Sequence, residues 1–167
     1  MNRRYFLRNT GLLAGAGLLF RQQALASLFR TAPNAIRMLR RNVGLFTQRG
    51  GTIGFLLSPE GIIVIDSQFP DTAEQFKTEV KQQRDAPFRF LLNTHHHGDH
   101  TGGNIAFKGI VEHVIAQENA LGHLKRVSES QNALDKQLLP DQPFRDEMKL
   151  KLGNEKIKGY YFGAGHT

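Results

Sequence analysis

A mixed α/β fold, with strands and helices interleaved along the chain, is the class this sequence predicts. Three observations predict it. The run Ile62-Ile63-Val64-Ile65 is wholly apolar and β-branched, the composition of a strand buried on both faces. Ala73, Phe76 and Val80 then recur at helical spacing, and a second strand-like run, Phe88 to Asn93, follows Pro87. Finally, four of the seven histidines and one carboxylate stand within His95 to His100, directly behind that second run. Sites in α/β sheets commonly sit on loops at strand ends.

The elements follow in order. Residues 36–47 read as one or two strands, and Gly50-Gly51 turns the chain into a strand over 52–58. Pro59-Glu60-Gly61 makes a hairpin-type turn into the apolar run, which Asp66 ends. Pro70-Asp71 opens a helix, with Asp71 expected as N-cap and Glu74 at capping-box spacing. Val114 to Ala116 is a short strand. Residues 118–138 read as a second helix, with Ala120, Leu124, Val127, Leu134 and Leu138 on its core side. Glu147 to Leu152 and Lys156 to Phe162 form a hairpin around Gly153-Asn154. The last residues are Gly163-Ala164-Gly165-His166-Thr167.

The 167 residues, 40% of them hydrophobic, suffice for one modest domain and lack the composition of a disordered chain. The net charge of +7 is concentrated at the start: removing Arg3, Arg4, Arg8 and Arg21 leaves +3. A basic stripe interleaved with stacking aromatics is missing, which argues against nucleic acid as a partner. There is no cysteine, so a metal site here must rest on His and Asp.

Residues 1–26 read as a targeting segment. Asn2-Arg3-Arg4-Tyr5-Phe6-Leu7-Arg8 resembles the twin-arginine export signal. The apolar run behind it, Gly11 to Phe20, is short of the roughly 20 residues that span a bilayer. Ala24-Leu25-Ala26 offers a small-x-small cleavage site. The resemblance implies a transient encounter with the twin-arginine translocon, then a periplasmic or secreted protein with no stable membrane insertion.

In the histidine cluster, His95 and His97 are two apart and, on extended backbone, face the same side and one ion, with His96 opposite. Asp99 and His100 follow across Gly98, whose missing Cβ is expected to let the backbone turn sharply. They stand where a second ion would bind. A third ligand for the first ion is offered by His166, on another glycine-bounded loop. His113 and His123 read as surface histidines.

His95-x-His97-x-Asp99-His100 resembles the signature of the metallo-β-lactamase superfamily, and Thr94 and Thr101-Gly102-Gly103-Asn104 match its flanks. Gly163-x-Gly165-His166-Thr167 resembles its later Gly-His-Thr motif, and Ile65-Asp66-Ser67 its buried-strand aspartate. The resemblance implies an αββα sandwich over residues 27–167, with only the first sheet and its helices expected within this C-terminally incomplete stretch. It implies zinc, two ions per complete protein, on donors that also accept iron or manganese. His95, His97 and His166 would hold one ion; Asp99 and His100 would serve the other. Asp99 would also be catalytic, orienting a metal-activated water, and Asp66 would hydrogen-bond the ligand loop. The activity implied is hydrolysis of a small ester, lactone, thioester or lactam. A phosphodiesterase or nuclease, or an oxygen-using iron protein, is the competing reading. The substrate and the oligomeric state are not legible.

Overall fold

The computed structural model describes residues 35–165. The export-signal reading of residues 1–26 and the ligand reading of His166 fall outside them.

Among the described residues a seven-stranded sheet runs in the order β1 (Ile36–Arg40), β2 (Val43–Gln48), β3 (Gly51–Ser58), β4 (Gly61–Ile65), β5 (Phe88–Asn93), β6 (Val111–Gln117) and β7 (Gln142–Phe144). Strands β1 to β4 pair antiparallel through tight turns, and β4 to β7 are parallel. The parallel half needs crossovers. These are α1 (Pro70–Gln83) and α3 (Glu118–Ser130), with the one-turn helix α2 (Gly98–Thr101) and a 3-10 stretch (Gly102–Phe107) between β5 and β6. A second, two-stranded sheet, β8 (Glu147–Leu152) and β9 (Glu155–Tyr160), turns at Gly153 with φ +57. The predicted α/β class is what the structure shows.

Both faces of the large sheet are covered, which is why β4 needed no polar alternation. On one face Phe46, Phe55, Phe88 and Phe107 pack with Phe76 of α1, four ring pairs having centroids 5.4–6.5 Å apart. On the other, Leu56, Ile63, Leu92 and Ile115 meet Met148, Leu150, Leu152 and Ile157 of the hairpin. The hairpin's alternation is clean: its outward face carries Lys149, Lys151, Lys156 and Lys158 in opposed pairs. Rows of lysine discourage further strand pairing there.

Three local expectations need correction. The N-cap of α1 is Phe69, not Asp71, because Pro70 takes the first helical position. Thr72 closes the box by accepting from the Phe69 amide (3.1 Å), while Asp71 is drawn to Arg49 (2.8 Å). The second helix stops at Ser130, since Asn132 adopts φ +49. A 3-10 turn (Leu134–Lys136) follows, leaving Val127 39% and Leu134 44% exposed. Strand β7 escaped the sequence reading because it is three residues long and contains Pro143, tolerable only where a ladder donor can be spared.

Candidate metal centre

The parallel register aligns the carboxyl ends of three strands. Ile65 pairs with Leu92, and Asn93 with Ala116, so Asp66, Thr94 and Gln117 stand side by side at the ends of their strands. The histidine loop starts from this edge, where parallel sheets commonly build their sites.

Asp66 is the loop's anchor. It is 4% exposed and sits at φ +63, a conformation Asp tolerates better than most residues. One carboxylate oxygen accepts from the Thr94 amide (2.8 Å). The other accepts from the Thr94 hydroxyl (2.7 Å) and from His100 Nδ1 (2.8 Å). Beneath it lies a buried polar frame. The Ser67 amide donates to His100 O (2.8 Å), and the Ser67 hydroxyl to Asn104 Oδ1 (2.8 Å). Asn93 and Asn104 exchange side-chain amide bonds (3.0 and 2.8 Å). Gly103 donates to Gln68 O (2.8 Å), and a Cβ at Gly103 would collide with the Ser67 carbonyl oxygen. Gly103, not Gly98, is the sterically required glycine: a Cβ at Gly98 would meet nothing within 4 Å.

These bonds set proton positions. Thr94 Oγ1 gives its only hydrogen to Asp66, so toward His95 Nδ1, 3.0 Å away, it acts as acceptor. His95 therefore carries a proton on Nδ1, and Nε2 is the atom through which the neutral ring would meet a metal. His100 likewise donates from Nδ1 to Asp66, and its Nε2 lies 3.5 Å from Asp99 Oδ2. Two ligand atoms at about 2.1 Å from a tetrahedral ion stand roughly 3.4 Å apart. The Asp99–His100 pair thus matches the reach of one ion, and imidazole held by a buried carboxylate is a common support for a metal ligand.

The rings of His95 and His97 lie 4.8 Å apart, and those of His95 and His100 4.1 Å apart. They pack ring against ring, and among the described residues no three His, Asp or Glu side chains converge as a complete metal group. His97 begins α2, its carbonyl accepting from the His100 and Thr101 amides (both 3.0 Å). Asp99 keeps 42% of its side chain exposed. The N/O donor set, without thiolate, suits zinc and other borderline ions.

His96 and His123, remote in sequence, stack at 4.8 Å, so His123 belongs beside the site rather than on an isolated surface. Burial, followed by the neighbouring His123, His97 and Arg126, holds the His96 ring below the ordinary imidazole range. His113 is elsewhere: it bonds Asp141 (2.9 Å) and stacks on Phe90. A cleft of about 600 Å³ opens between the loop and the β9 end, walled by Thr94, His95, His96, Gln117, His123 and Tyr160 to Gly165 among others. The sequence signals nothing of the Ser67–Asn93–Asn104 frame or the His96–His123 pair, because both depend on contacts between distant segments.

An α/β sheet with a histidine and aspartate loop at its carboxyl edge defines a class of metal-site proteins. The chain belongs to the metallo-beta-lactamase superfamily, whose family model matches residues 46–167. That superfamily typically binds zinc. A metallo-beta-lactamase type 2 from Elizabethkingia meningoseptica is 25% identical over 114 residues, 68% of this chain and 43% of that protein. Among solved structures, a metallo-beta-lactamase from Pontibacter korlensis aligns with a TM-score of 0.62 at 21% identity, covering 79% of this chain and 62% of that one. MEM-A1, a subclass B3 metallo-beta-lactamase from a soil metagenome library, aligns with 0.59 at 22%, covering 75% and 52%. These structural likenesses show the fold. The chain spans 43% to 62% of the lengths of these relatives.

Proposed function

We propose that the protein is a zinc-dependent hydrolase of a small carbonyl substrate, an ester, lactone, thioester or lactam. The observation that carries this reading is the proton arrangement on the loop. Asp66 and Thr94 orient His100 and His95 through their Nδ1 atoms, which leaves Nε2 as the ring atom a metal would meet, beside the Asp99 carboxylate. His95, His97 and His166 would hold one ion, and Asp99 and His100 would serve a second. Zinc bound there would supply a water ionised near neutral pH and a Lewis acid for the carbonyl.

The chain's own groups do the rest. Asp66, buried and accepting three hydrogen bonds, keeps the loop from rotating its imidazoles away. Asp99, more exposed, can orient a water beside it and take up its proton. The cleft along His95 gives a substrate access to the loop.

Asp99→Asn tests the reading, since the amide keeps the shape but accepts no proton. Ester hydrolysis by zinc-loaded protein should fall by about 10²–10⁴-fold with an unchanged circular-dichroism spectrum. Equal turnover by the variant would remove Asp99 from the chemistry.

A further inference from the structure

The cleft beside the histidine loop is notable for what faces it. Among the described residues that line it there is no Lys, Arg, Asp or Glu. Its polar groups are amides, hydroxyls and imidazoles, and much of its lining is aromatic. The His96 and His123 rings stack at 4.8 Å with 23° between planes. Tyr160 and Phe162 stack at 5.9 Å and 25°, with Phe162 94% exposed.

Two hydrogen-bond donors can be assigned. Arg126 Nη2 lies 2.9 Å from His123 Nδ1, and a guanidinium can only donate. His123 Nδ1 is therefore the acceptor, and the neutral ring carries its proton on Nε2. Arg126 is itself absent from the lining, its guanidinium directed at the ring. The Tyr161 hydroxyl accepts from Asn119 Nδ2 (3.1 Å) and keeps its own hydrogen to donate. Among the described lining residues an anion would find no charged side chain to replace its lost hydration, and only a metal at the loop end of the cleft would attract it. A flat, uncharged group would gain contacts with the rings that line it.

We infer that this cleft binds the uncharged aryl portion of the substrate, so that the protein prefers neutral aryl esters or aryl lactones to substrates bearing an anionic group. The inference rests on the hydrolase reading for its chemistry but on the cleft alone for its selectivity. His123 acts as a specificity-determining residue through Nε2–H, with Tyr160 and Phe162 as further aromatic lining.

The test separates selectivity from turnover. Calorimetric binding to the zinc-loaded full chain is compared for acetanilide, a non-hydrolysable neutral aryl amide, and 4-acetamidobenzenesulfonate, its anionic counterpart with a poor metal-ligating group. Acetanilide should bind at least about tenfold more tightly, and His123→Ala should weaken it by about five- to tenfold while leaving the sulfonate unchanged. Equal or tighter binding of the sulfonate would overturn the inference, as would unchanged acetanilide binding in both His123→Ala and Phe162→Ala. Phenyl acetate turnover is measured in parallel. In His123→Ala a raised KM with kcat preserved supports the assignment, and a fall in kcat alone contradicts it. If acetanilide binds selectively but phenyl acetate is not hydrolysed, the hydrolase reading fails and the cleft assignment stands.

Discussion

The floor and the wall of the site are built on opposite terms. The floor comprises Asp66, Ser67, Asn93 and Asn104, all buried, each hydrogen-bonded within the protein. The wall comprises His96, His123 and the Tyr160–Gly165 stretch, half-buried to fully exposed, with two stacked ring pairs among its contacts. A buried polar network is costly when one member loses its partner, so the floor tolerates little change and keeps the loop in one geometry. Exposed ring contacts each contribute little, so the wall can vary in shape at small cost to the fold. On the proposed reading the ligands rest on the first and the substrate contacts on the second, which would separate the metal's requirements from those of selectivity.

Asp66→Asn breaks the comparison most sharply. Asn also tolerates the positive φ at this position, so the backbone is preserved. The amide supplies one acceptor oxygen where the carboxylate supplied two. Zinc affinity should fall by about 10- to 100-fold, measured by competition with a chromogenic chelator, with the fold retained. An unaltered affinity would mean that the floor is scaffolding only. The wall variant His123→Ala should by contrast leave zinc affinity unchanged.

A smaller effect is expected away from both regions, at the β6–β7 connection. Burial alone would raise the Asp141 carboxyl, but the His113 ring and the Val114 amide outweigh it and hold the group below its usual range. A depressed carboxyl stabilises the fold above its unfolded value, and the contribution is lost as pH falls through the folded one. Asp141→Asn should therefore lower stability at neutral pH by less than about 1 kcal/mol, because the pair is half exposed. The difference should shrink in urea melts as pH falls below about 4, the ordinary aspartate range, and vanish below the depressed folded value. A difference that persisted there would mean that hydrogen-bond geometry, not charge, is what Asn fails to reproduce.

The legible parts of this molecule are those whose signal is local. The β-branched run at 62–65 and the spacing of Ala73, Phe76 and Val80 reveal their elements because burial acts on neighbours in sequence. The proximity of His95, His97, Asp99 and His100 is likewise visible because one loop carries them all. What the sequence hides is non-local. Asp66 is joined to Thr94 and His100 only by strand register, and His96 meets His123 only because α3 returns over the loop. The end of that helix is hidden for a related reason. Leu134 and Leu138 continue the apolar period past Ser130, but Asn132 has already left helical backbone.

If the His95–His100 loop is a metal site, its zinc content should depend on those histidines. After dialysis against metal-free buffer, the full wild-type chain is titrated with zinc, and His95→Ala/His97→Ala is treated identically. The account predicts tight binding by the wild type and a loss of at least about 100-fold in affinity for the double variant, with both retaining the same circular-dichroism spectrum. Equal zinc uptake by the two proteins would contradict it.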